Sequence, residues 1–125
     1  FELKEKQAKR NLLKELFYPK KISSSQMAFF TRSISDLLEG GLSVIEAFQI
    51  VSKQINHALL KKACETIKKD LRDGQALSIS LQSQSKFFSP LFVNLVKAGE
   101  ISGTMELSFS RIADFYERKN NLKNR

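Results

Sequence analysis

Apolar residues recur every three or four positions along each long segment of this chain, and no stretch alternates apolar with polar between hairpin turns. That spacing gathers each apolar set onto one face of an α-helix, so the chain must bury several amphipathic helices against one another. The expected fold class is all-α, an antiparallel bundle of about six helices preceded by a basic leader helix. At 125 residues with 42% apolar content, one domain can enclose a real core. The expected division is a basic amphipathic leader over residues 1–21 and a helical bundle over 22–125.

Helix punctuation divides the bundle. The leader, Glu2 to Phe17, gathers Leu12, Leu13, Leu16 and Phe17 on one side and ends where Pro19 disfavours helical backbone at Tyr18. Ser24 or Ser25 can cap a second helix whose inward face is Met27, Phe30, Ile34, Leu37 and Leu38, and Gly40-Gly41 stops it. Ser43 with Glu46 three residues on forms a capping box for a third helix, with Val44, Phe48, Val51 and Ile55 inward. A fourth, from His57 to Arg72, buries Leu60, Ala63, Cys64, Ile67 and Leu71 and ends at Asp73-Gly74. Ala76 to Gln82 is a short element. Ser89-Pro90 starts the next helix, since proline suits the first helical position. Leu91, Phe92, Leu95 and Val96 are expected inside until Gly99 ends it. The last helix, from Gly103 to Asn120, buries Met105, Phe109, Ile112 and Tyr116.

The formal net charge is +8. The first 21 residues carry seven bases (Lys4, Lys6, Lys9, Arg10, Lys14, Lys20, Lys21) against three acids, and Arg118, Lys119, Lys123 and Arg125 close the chain. Such clusters favour an anionic partner: nucleic acid, lipid headgroups or an acidic protein face. No apolar run approaches the roughly 18 residues needed to span a bilayer. The single cysteine, Cys64, excludes an intramolecular disulfide and a cysteine-based metal cluster, and its neighbours make it a buried thiol.

Nothing in the residues assembles a catalytic centre, and no cofactor is expected. His57 is the only histidine and reads as a solvated or capping residue. Glu100, between Gly99 and Gly103, is expected to cap the last helix through the amides of Ser102, Gly103 or Thr104; a partner contact or an interfacial cation are the alternatives. Asp36, Glu39, Glu46, Asp70 and Asp114 read as ordinary helix-surface charges. No phosphate loop is present. A helix-turn-helix drawn through Phe30 to Ile55 would present Glu46, Gln49 and Lys53, a poor reader of bases and phosphates. A basic nucleic-acid-binding module is therefore the second reading, and a membrane-surface adaptor the third.

Six blocks carry a more specific signal: Phe29 to Arg32, Leu37 to Phe48, Asp73 to Ser78, Phe88 to Phe92, Ala98 to Gly103 and Ala113 to Glu117. Together, in this order and with compatible spacing, they resemble the type II secretion system F domain over about Ser25 to Lys119. The resemblance implies a non-enzymatic cytoplasmic bundle of about six helices, occurring twice in an inner-membrane platform protein of type II secretion, type IV pilus or competence systems. It also implies partners: an assembly ATPase, other inner-membrane and pilin-like components, and further copies of itself. The lysine-heavy leader suits the competence or Gram-positive side of the family, and the soluble lead-in suits the first of the two copies.

In that setting the closing basic cluster fits the positive-inside rule, with the chain entering the membrane shortly after Arg125. The face of Leu12, Leu13, Leu16 and Phe17 is expected to contact the ATPase or anionic lipid. The family often carries a charge where Ile101 and Met105 stand here. An apolar Ile101 beside Glu100 is accordingly expected to pack on a second copy.

Overall fold

The computed structural model describes residues 2–17 and 22–123, with the side chains of 11–17 and 123 outside that description. Among these residues the chain forms seven helices: α1 (Glu2–Phe17), α2 (Ser24–Glu39), α3 (Val44–Ser52), α4 (Ala58–Arg72), α5 (Leu77–Gln82), α6 (Pro90–Ser102) and α7 (Met105–Lys123). The expected leader and six-helix bundle are both present. The proline stop after the leader, at Tyr18 and Pro19, lies outside the described residues.

Local chemistry sets most boundaries. Ser43 and Glu46 form the reciprocal capping box: Ser43 Oγ accepts the Glu46 N–H at 3.2 Å and the Glu46 carboxylate accepts the Ser43 N–H at 3.2 Å. The cap of α2 is Ser23, one residue before the expected Ser24 or Ser25, because Gln26 then stands at the third helical position and completes a second box. Ser24 is buried instead. His57 caps α4, its Nδ1 accepting the Leu60 N–H at 3.3 Å. Ser89 caps α6, with Pro90 at its first position.

Each helix from α2 onward packs on the next in chain order, and α7 returns onto α2 in the most extensive contact of the bundle. The two run antiparallel, since Ser35 meets Glu106 while Arg32, a turn earlier, meets Asp114 and Glu117. At the centre, five phenylalanines form a closed ring of contacts. Phe30 meets Phe48 at 5.8 Å between centroids, Phe48 meets Phe109 at 6.3 Å, and Phe109 meets Phe92 at 5.8 Å. Phe92 then meets Phe88 at 5.1 Å, and Phe88 returns to Phe30 at 6.5 Å. Four of the five contacts are edge-to-face, the geometry that matches ring edges to π-faces. Phe88 enters this ring from the loop between α5 and α6, so the ring ties α2, α3, α6, α7 and that loop together.

Two expectations about α6 change. The helix does not stop at Gly99; it runs on to Ser102, and Gly103 ends it in the left-handed conformation with φ 70°. Leu91 does not face inward but is 48% exposed, because it sits on the outer edge of the first turn while Phe92 takes the core position.

Candidate interaction surface

The corner between α6 and α7 is built around a close helix crossing. Gly99 is buried, and a Cβ there would overlap Ser108 Oγ, stand 3.1 Å from Ser108 Cβ and 3.2 Å from Met105 Cα. The glycine therefore serves the approach of α7, which its place in an ordinary helix turn would not reveal. Ser108 fills the crossing and donates its hydroxyl to the Leu95 carbonyl at 2.7 Å. Ser102 donates back to Ala98 at 2.7 Å and shares a 2.9 Å hydrogen bond with Thr104, which stiffens the turn into α7.

Glu100 acts on a different helix from the one expected. Its carboxylate accepts the Ser78 N–H at 3.2 Å, at the start of α5, and not an amide of Ser102, Gly103 or Thr104. The reason is direction: one position after Gly99, Glu100 turns from α7 towards α5, whose own cap residue Ala76 offers no side-chain acceptor. Among the described residues no group of three or more His, Cys, Asp and Glu is placed to hold a metal ion. Ile101, the next residue, is 81% exposed, whereas Met105 lies partly buried against the core. Leu12, Leu13, Leu16 and Phe17 lie on the part of α1 whose side chains are outside the description.

A polar seam missed in the sequence joins α2 to α7. Arg32 Nη2 donates to Asp114 Oδ1 at 2.6 Å and Glu117 Oε1 at 2.8 Å, Nε donates to Glu117 Oε2 at 3.1 Å, and Nη1 to Ser110 Oγ at 3.2 Å. The fork on Glu117 is the bidentate arrangement that suits a guanidinium. Hydrogen bonds from the Arg32 guanidinium hold the Glu117 carboxyl below the usual glutamate range. Asp114 is thus a clamp partner, not a freely solvated charge. Asp70 likewise leaves the solvated class by accepting the Ser80 hydroxyl at 2.7 Å and tying α4 to α5. Burial pushes the Cys64 thiol up to about 12, which keeps it protonated and unreactive as a nucleophile.

A cleft of about 370 Å³ opens beside Phe29, Gln54 and Asn56, and among the described residues lining it only His57 is titratable. Among the described residues, no helix is long and apolar enough to cross a membrane.

Fold and corner together define a helical bundle domain closed by a glycine–serine crossing. The sequence profile of the family described as "Type II secretion system (T2SS), protein F" matches residues 30–125, and the chain belongs to that family. It is 31% identical over 104 residues to the type IV pilus assembly protein PilC of Pseudomonas aeruginosa, covering 83% of this chain and 28% of that protein. It is 35% identical over 97 residues to the PilC of Thermus thermophilus, covering 78% and 24%. It is 31% identical over 116 residues to the type II secretion system protein F of Aeromonas hydrophila, covering 93% and 30%. The chain thus spans less than a third of the length of these relatives.

Proposed function

We propose that this chain is a cytoplasmic scaffold domain of an inner-membrane platform protein in a type II secretion or type IV pilus machine. The observation that carries the reading is the family match over residues 30–125, nearly the whole six-helix bundle. In this role the domain supplies surfaces for assembly and performs no chemistry of its own. Its partners are the assembly ATPase, which it couples to pilus or pseudopilus growth, together with pilin-like components and other copies of itself.

Two contacts follow. The leader, through Leu12, Leu13, Leu16 and Phe17, engages the ATPase or the anionic membrane face. Ile101 packs on a second copy, supported by its 81% exposure on a corner that Glu100 ties to α5. An isolated exposed isoleucine loses little by itself, but burying it at an interface stabilises that interface by about 1.5–3 kcal/mol.

The reading is tested by capture of the cognate hexameric ATPase on the immobilised domain. Retention that disappears when residues 1–21 are removed supports it, while no retention in low salt speaks against ATPase coupling. For self-association, Ile101→Asp should lower the sedimenting mass of a domain that otherwise dimerises, with helicity unchanged. An unaltered mass would remove Ile101 from the interface.

A further inference from the structure

The outer face of α7 carries an exposed stripe that the leader and the Ile101 corner leave unused. Leu107, Arg111, Phe115, Arg118 and Leu122 succeed one another by four, four, three and four residues and are all exposed. At about 100° per residue they fall within an arc of about 80°, on the side of the helix away from Phe109, Ile112 and Ala113 in the core. The stripe runs about 22 Å. Leu91 of α6, also exposed, borders it across a shallow furrow that Phe115 lines from the α7 side.

Its charge is sorted. The two carboxylates nearest the stripe, Asp114 and Glu117, are both drawn to the neighbouring side by Arg32 on α2. Arg111 and Arg118 are thereby left as the charges of the stripe, set between three large apolar side chains. The Arg32 seam thus both ties α7 to α2 and gives the opposite flank a single sign.

From this geometry we infer that the α7 stripe docks an acidic amphipathic helix of another protein. Leu107, Phe115 and Leu122 recur every two turns along one face, with an arginine in each interval, a register in which a partner helix can seat, and the furrow beside Leu91 gives that partner a second wall. Arg111 and Arg118 select glutamate or aspartate on its flanks. A second copy of this chain is the wrong occupant for this face, because it would bring the same two arginines against themselves in a molecule already at +8.

The experiment is an NMR titration of the labelled 125-residue chain with a designed helical peptide of about 18 residues, long enough to cover the stripe. The peptide carries leucine at heptad core positions and glutamate on the flanks; a second peptide has lysine in place of glutamate. The expected result is a set of amide shifts confined to 107–122 and the first turn of α6, with salt-sensitive affinity for the glutamate peptide. The double variant Arg111→Glu, Arg118→Glu should bind that peptide at least about tenfold more weakly and prefer the lysine peptide. Both arginines are exposed, so the variant keeps its fold, which an unchanged circular dichroism melt verifies. Shifts elsewhere, or equal affinity for both peptides, overturn the inference. So does a stripe that responds to phosphatidylglycerol vesicles or to its own concentration while staying silent to the glutamate peptide.

Discussion

Gly99 stands three residues before the true end of its helix, and its missing side chain is what lets α7 approach. In a free helix, alanine would be better than glycine there by about 1 kcal/mol. Here the added methyl would displace the Ser108 hydroxyl from Leu95 and press on the Met105 backbone, an overpacking that costs about 1–3 kcal/mol. Gly99→Ala should therefore lower stability by up to about 2 kcal/mol in a urea titration. Pairing it with Ser108→Ala should recover part of that loss, and strict additivity of the two changes would show that the crossing is not the cause. The sequence alone reads Gly99 as a helix stop, because glycine carries the same local signal whether it ends a helix or admits a neighbour. Only the distance to Ser108 separates the two. Glu100 was misassigned for a related reason: its partner Ser78 lies 22 residues upstream, at the start of the preceding helix and not of the one that follows.

At the scale of elements, the caps at Ser43, His57 and Ser89 were legible because donor and acceptor lie within three residues of each other. The seam between α2 and α7 was not, because 82 and 85 residues separate Arg32 from Asp114 and Glu117. Read along α7 alone, those acids look solvated. Arg32→Ala should cost about 1–2 kcal/mol, discounted for the partial exposure of all three side chains, and Arg32→Lys should recover only a minor part because it loses the fork. Thermal denaturation at neutral pH measures both. The seam also gives an acid limb. Because the carboxyl of Glu117 titrates lower in the fold than in the open chain, its contribution is present above the ordinary value of 4.5 and is lost as pH falls through the lower folded value. Stability curves of the native chain and Arg32→Ala should converge on acidification, and parallel curves down to the acid transition would assign the limb to other groups.

For the whole molecule, the sequence pattern was sufficient for fold class and helix order, since nearly every core position sits at helical spacing. It left the central aromatic ring unread. Phe88 lies outside any helix, so periodicity gave it no inward direction, and the ring contacts join residues up to 61 apart, as between Phe48 and Phe109. The buried core cluster runs from Met27 to Ile112, and the described side chains of α1, residues 2–10, are all exposed. Removal of residues 1–21 should then leave the urea midpoint of the bundle essentially where it is. A midpoint that falls sharply would make the leader part of the folded unit rather than an appendage.

The antiparallel return of α7 onto α2 places the start of the bundle beside its end, with the Arg32–Glu117 pair about two turns in from the start of α2. A force drawn through the two chain connections would therefore part these helices like a zipper, rung by rung, instead of sliding them along their length. The Arg32 fork is reached only after the first two or so turns of α2 have parted, and α3 to α5 stay unloaded until then.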